Sequence, residues 1–369
     1  MKKSLFILAG LALLGTSCAK TEEVVETSSG RAISFNGYAA KLTKAAQTDV
    51  TAENLESFNV TAIGNNEVYI TNETYTKKGN VWESNPVHFW PLYPLTFYAY
   101  NTPGSTTDFT SEITTTAQTL TVTPSAILGE QEDLVAACAV SKSATNTNED
   151  GAIVLEFKHY LTQVIVKAKN SSSSHYNVVV DGVKLANLAG DGIYTFSDGK
   201  MTASSEKINS ASSSDYSATF PSKTLTADAQ EVMTNTNEGT GRWYLIPQTV
   251  TAWNLNESKN SSNGTYLALK VKITTSNGAK IYPASGETSA WMAVPVPAGL
   301  DFVQGKRYNV TLDFYSLSNH GAGYVDPEDP GELDGNPGTK DNGKKIREVI
   351  MFQTSVSSWG DEVDVTISL

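Results

Sequence analysis

Cysteine is nearly missing from this sequence. Cys18 and Cys138 are the two in 369 residues, too few for a disulfide framework. Histidine is almost as scarce: His88, His159, His175 and His320 are all there is, and no two stand at metal-ligand spacing. No apolar run reaches the roughly 20 residues that span a bilayer. Long stretches of 3.6-residue periodicity are absent, which argues against a helical bundle. There is no Gly-x-Ser-x-Gly, no His-Glu-x-x-His and no phosphate-cradling glycine loop. Paired carboxylates such as Glu132-Asp133 occur, but among 39 acidic residues they single out nothing. These gaps argue against an enzyme, a cofactor and a metal centre. Charge excludes another class: 27 basic residues against 39 acidic ones give −12, which disfavours nucleic acid and anionic membrane surfaces as partners.

What is present begins at the N-terminus. Met1-Lys2-Lys3 precedes an apolar run from Leu5 to Leu14, then Gly15, Thr16 and Ser17. Two cations, a short apolar stretch and small residues make a secretory signal over residues 1–17. The order resembles a bacterial lipobox, with Gly15 where a leucine is usual. That resemblance makes Cys18 the lipidated first residue of the exported chain, anchored in the outer membrane. An ordinary signal peptide with an incidental cysteine is the alternative. Ala19-Lys20-Thr21-Glu22-Glu23 resembles the lysine-then-acid tag of surface lipoproteins in the Bacteroidetes. Read without that resemblance, residues 18–31 are a solvated acidic tether. Loss of Lys2 and Lys3 leaves 25 cations against 39 acids, a net charge near −14. Cys138 sits in Leu134-Val-Ala-Ala-Cys-Ala-Val140 and reads as a buried, inert thiol.

The rest of the chain alternates. Ile33 and Phe35 share one face, as do Phe58, Val60 and Ala62, and Leu95, Phe97 and Ala99. Later come Leu267, Leu269, Val271 and Ile273, then Tyr308, Val310, Leu312 and Phe314. These period-two patterns, with turn-forming Asn-Gly and Asp-Gly pairs between them, predict an all-β fold built from two tandem β-sandwiches. The polar stretch 142–151 marks the expected boundary. It divides the chain into an N-terminal sandwich, 32–145, and a C-terminal one, 146–369. The loop 326–343 is rich in Asp, Pro and Gly. Its oxygens suit calcium, but its spacing is not that of an EF-hand loop, so a solvated loop is expected.

Several stretches, taken in order, resemble the fimbrillin family of Bacteroidetes pilins. They are SFNVTAIG, WESNPVHFWPLYPLTFYAYNTPG and QEDLVAACA, then LEFKHYLTQVIVKAK, YLIPQTV, MAVPVPAGLDFVQGKRYNVTLDF and IMFQTSVSSW. The resemblance implies two transthyretin-like sandwiches, export as a lipoprotein, and assembly with other subunits into adhesive surface fimbriae. It also implies maturation by a trypsin-like protease. The family often shows Thr-Arg-Ala at the cut; this chain has Thr43-Lys44-Ala45. Cutting after Lys44 would remove the lipid and the first strand, with Ile33 and Phe35. Cutting after Arg31 would keep that strand. Both cations are equally readable as ordinary loop residues.

The chain ends DEVDVTISL. Val363, Val365, Ile367 and Leu369 alternate with Asp364, Thr366 and Ser368. Such a strand can enter a neighbour by β-addition or complete its own sheet. A stalk subunit needs a donor strand and a tip subunit does not, so both roles stay open. A different class of function is a monomeric adhesin or glycan-binding lipoprotein that meets a host or bacterial surface receptor. Trp253, Trp291 or Tyr324 would be its stacking platforms.

Overall fold

A computed structural model of the chain describes residues 28–39, 49–51, 53–102, 108–146, 151–203, 213–233, 241–252, 264–283, 288–297, 299–315 and 349–358. The expected all-β fold is found, and among the described residues the helical content is one short 3-10 turn, Leu128–Glu130.

The described chain opens with β1 (Ser28–Ala32) and β2 (Phe35–Ala39). Then come β3 (Ser57–Gly64), β4 (Glu67–Lys78), β5 (Val81–Ser84), β6 (Phe89–Pro91) and β7 (Leu95–Tyr100). A hairpin, β8 (Asp108–Ile113) and β9 (Gln118–Thr123), precedes β10 (Val135–Lys142) and β11 (Ile153–His159). The C-terminal half starts with β12 (Thr162–Lys169), β13 (Tyr176–Ala189), β14 (Gly192–Thr195) and β15 (Lys200–Ala203). It continues with β16 (Ser213–Thr224), β17 (Gln230–Glu231), β18 (Trp243–Leu245) and β19 (Gln248–Thr249). The last group is β20 (Tyr266–Thr275), β21 (Lys280–Tyr282), β22 (Ala290–Pro295), β23 (Asp301–Phe302), β24 (Lys306–Tyr315) and β25 (Val349–Ser358).

Turn chemistry fixes the hairpins. Between β3 and β4, Asn65 and Asn66 both have positive φ, 50° and 60°. A two-residue turn with both central residues in that region matches the twist of the strands it joins, and asparagine tolerates it. The strands keep the predicted alternation. Phe58, Val60 and Ala62 are buried, as are Leu267, Leu269, Val271 and Ile273.

In the N-terminal half the order β10-β11-β2-β5-β4-β3-β7 closes on itself, because β7 pairs back to β10. The C-terminal half packs two sheets, one built on β12, β24 and β25 and the other on β16, β13, β20 and β21. A third sheet, β15-β14-β9-β8, joins the halves: the β8–β9 hairpin pairs with β14. Three apolar clusters follow from this plan. One fills the barrel and one fills the sandwich. The third lies between them, where Tyr100, Leu120 and Ala136 meet Tyr160, Tyr194 and Tyr244.

The passage from barrel to sandwich comes later than residue 145. β11 pairs with β10 and β2 in the barrel, and the chain leaves at Tyr160-Leu161. The polar stretch expected as a boundary lies between β10 and β11 instead.

Candidate functional site: the place of the first strands

The first strands are held on several sides. β1 runs antiparallel to β6, with Ala32 opposite Phe89. The Ile33 amide donates to the His88 carbonyl at 2.8 Å. β2 then enters the barrel, parallel to β11 from Phe35↔Ile153 to Ala39↔Phe157. On its other side Phe35 pairs with Trp82 of β5. The Ile153 amide donates to the Ser34 carbonyl at 2.9 Å and locks the register. β2 is thus an inner strand, and its loss would expose ladder groups on both neighbours.

Phe35 is the centre of this arrangement and is fully buried. Its ring meets Tyr75 at 4.7 Å, Phe97 at 5.3 Å and Phe58 at 5.9 Å between centroids, all edge-to-face. Ile33 is also buried. Two residues beyond Phe35, Gly37 faces the same interior. A Cβ at that position would stand 3.2 Å from Trp82 and 3.6 Å from Phe157. Trp82 is fixed by donating its indole N–H to the Leu55 carbonyl at 3.1 Å. The place taken by the strand is therefore deep at position 35 and shallow at 37.

Arg31 lies in β1, half-buried, and donates to the Ala144 carbonyl. A Cβ on Gly151 would fall 2.0 Å from its guanidinium, so that glycine lets the side chain pass. The other sequence-derived positions lie outside the described residues. These are Cys18, Lys44, the terminal Val363, Val365, Ile367 and Leu369, the loop 326–343, and Trp253, Tyr324 and His320. Trp291 is half-buried beside Gly182.

Cys138 departs from expectation. It is exposed on β10. Ala137 and Ala139 face the barrel core, and on the outer face Ala136 is covered by the cluster between the halves. That cover ends there, so Cys138 and Val140 emerge. Neighbouring atoms still withdraw enough water to push the thiol up to about 11, which keeps it unreactive.

Two histidines meet carboxylates. His88 lies 3.5 Å from Glu73 and His159 lies 2.9 Å from Asp133. Burial raises the Asp133 carboxyl, and His159 partly opposes this. No group of three or more His, Cys, Asp or Glu able to hold a metal occurs among the described residues.

Sequence reasoning missed one residue altogether. Asp49 is buried, and its carboxylate accepts from Gln163, Arg242, Tyr244 and Arg307 of the C-terminal half. A concavity of about 860 Å³ is lined by Lys200, Gln248, Asp301 and Gln304 among others. Its polar groups bond one another: Thr249 donates to Asp301 at 2.9 Å, and Gln304 accepts from the Met201 amide at 2.8 Å.

Comparison with known proteins adds three findings. A family profile described as fimbrillin-like matches residues 43–323. A fimbrial protein from Bacteroides vulgatus is similar in structure, with a TM-score of 0.57 and 17% identity over 89% of this chain and 99% of that one. At that identity the likeness concerns the fold. The fimbrial anchor protein Mfa2 from Porphyromonas gingivalis also aligns, over 89% of this chain and 98% of its own, at 12% identity and a TM-score of 0.36. Among proteins of curated function, none matches the sequence.

Proposed function

Because the chain belongs to the fimbrillin-like family, we propose that it is a fimbrial subunit whose barrel exchanges its own first strands for a strand of a neighbouring subunit. A place at the cell surface and assembly with other fimbrial subunits follow from the family. The route of assembly is our reading, and one observation carries it: Phe35 fills the centre of the barrel from a strand held between β5 and β11.

A trypsin-like protease cutting after Lys44 would detach β1 and β2 together. Cutting after Arg31 would leave Ile33 and β2 in place. We assign maturation to Lys44, because only that cut empties the site. Until then the lipid on Cys18 tethers the precursor to the outer membrane. The replacement strand is the chain's own terminal pattern, Val363, Val365, Ile367 and Leu369, supplied by the next copy. At about 1.5–3 kcal/mol per large apolar side chain buried, four such residues contribute several kcal/mol before the ordering of the tail is counted.

The test is trypsin digestion of the precursor, followed by light scattering and electron microscopy. Filaments or SDS-resistant oligomers should form after the clip and fail to form when residues 361–369 are deleted. A clipped protein that stays monomeric at high concentration would refute the exchange. If that monomer also bound immobilised glycans, the adhesin reading would replace it.

A further inference from the structure

Asp49 is the first described residue after the stretch that contains Lys44. Its carboxylate is where two guanidinium groups converge. Oδ2 accepts from Arg307 Nη2 at 2.7 Å and from Arg242 Nη1 at 3.2 Å. Oδ1 accepts from Gln163 Nε2 at 2.7 Å and from the Tyr244 hydroxyl at 2.8 Å. Gln163 in turn accepts from Arg307 Nε. The side chains of Asp49, Arg242 and Arg307 are 4%, 9% and 12% exposed.

The next residue is tied to the other half. The Val50 amide donates to Asp133 at 2.7 Å, and Asp133 meets His159 at the end of β11. Asn54 donates to the Asp49 carbonyl at 2.8 Å. The dipeptide Asp49-Val50 is therefore fastened to the sandwich through one residue and to the barrel through the next. Removing the Asp49 carboxylate would leave two buried guanidinium groups without the acceptor they share, a strongly unfavourable state.

The two cations have a second meaning. The sequence holds four arginines, at 31, 242, 307 and 347. Asp49 immobilises two of them. A protease cleaves a folded chain only where the segment opens locally, and Asp49 opposes opening at both places.

We propose that Asp49 is a latch. It holds the chain start created when the upstream segment is cut away, and it keeps Arg242 and Arg307 out of reach of an arginine-cutting protease. The first half rests on the maturation reading above. The second does not.

The experiment has two arms and three proteins: the full chain, Asp49→Asn, and a core variant such as Ile70→Val, chosen to match the melting temperature of Asp49→Asn. In the first arm the intact proteins meet an arginine-specific protease, and the fragments are read by mass spectrometry. Fragments ending at Arg242 and Arg307 should form at least tenfold faster in Asp49→Asn than in the matched variant. Equal rates in the two variants would overturn the protection, because general instability would then explain it. Should Asp49→Asn fail to fold, Tyr244→Phe removes one contact, and a smaller rise at the same two sites is expected; no rise would overturn it.

In the second arm trypsin-clipped protein meets an aminopeptidase. Trimming should stop before Asp49 in the natural chain and pass it in Asp49→Asn. No trypsin cut between residues 40 and 48, or trimming past Asp49 in both proteins, would overturn the hold on the new start. Neither arm reads polymerisation. A latch that works in a clipped monomer would sink strand exchange alone, and filaments from a protein with no latch would sink the latch alone.

Discussion

The two halves of the chain each contain a parallel strand pair, and the partners arrive by different routes. In the sandwich, β12 lies parallel to β24 over seven paired positions, Gln163↔Arg307 to Lys169↔Asp313, and β25 pairs with β24 on its far side. In the barrel, β11 lies parallel to β2 over five, Ile153↔Phe35 to Phe157↔Ala39. β2 reaches that place from the very start of the described chain. The cores differ as well. The sandwich is filled mainly by aliphatic side chains such as Val164, Val180, Leu269 and Val310. The barrel is filled by rings packed around Phe35, which the short inner strand β2 supplies. Similar pairing geometry thus yields one half whose parallel partner comes from late in the chain and one whose central side chain sits on the opening strand.

The largest expected effect is at that side chain. Phe35→Ala in the uncut chain should destabilise the barrel by about 3–5 kcal/mol, because rigid rings cannot collapse into the hole left behind. The melting of the intact variant should resolve into an early barrel transition and an unshifted sandwich transition. A single transition that falls as one unit would show that the halves are not separable. Next comes rescue in trans. A synthetic peptide of residues 30–39 added to trypsin-clipped protein should restore the barrel transition, by about 2.7 kcal/mol at a hundredfold excess over its dissociation constant. The same peptide carrying alanine at position 35 should restore far less. Rescue by both peptides equally would mean that backbone pairing, rather than the ring, holds the strand.

The half-buried strands were legible in the sequence because water on one face imposes a period of two. Phe58, Val60 and Ala62, or Tyr308, Val310, Leu312 and Phe314, needed no structure to be placed on one side. Strands covered on both faces were harder. The run through Cys138 looks uniformly apolar, and only the three-dimensional extent of the third cluster shows where its outer face emerges. The stretch from Ile153 to Lys169 reads as one apolar element, yet it turns at Tyr160-Leu161 from barrel to sandwich. Ile33 and Phe35 could be read as inward-facing from sequence, and both are buried, with Ile33 in the link between β1 and β2. Asp49 could not: its partners lie 114 to 258 residues away, and a lone aspartate in a polar stretch carries no periodic signal.

A smaller effect sharpens the shape of the strand's site. Gly37→Val in the uncut chain should cost about 1–3 kcal/mol, because the added methyls press on Trp82, whose indole is already bonded to the Leu55 carbonyl. Tryptophan fluorescence should shift with the loss. A neutral Gly37→Val would show that Trp82 can yield, and that the site accepts bulk at its shallow end. A peptide with valine at position 37 should then rescue the clipped barrel as well as the natural one.

The smallest effect reads the difference between the halves directly through their tyrosines. Burial pushes Tyr75, which packs against Phe35, up to about 12 from the ordinary 10. Burial also raises Tyr266 and Tyr282 in the sandwich. A phenol whose folded value is raised favours the fold while it stays neutral. Its contribution is complete below pH 10 and is lost as pH rises from 10 through about 12. Detaching β2 lets water reach Tyr75, so its folded value should fall back towards 10 and that contribution should shrink. Tyr266 and Tyr282 belong to β20 and β21 of the sandwich and should titrate as before. Near-ultraviolet difference absorbance, with Tyr75→Phe to assign the signal, should therefore show one phenol moving to lower pH on clipping, and moving back when the peptide is added. If the clipped and intact proteins titrate identically, the barrel has closed over the missing ring. The detachable strand would then be a covering for a core that can seal itself, and no open site would await a neighbour.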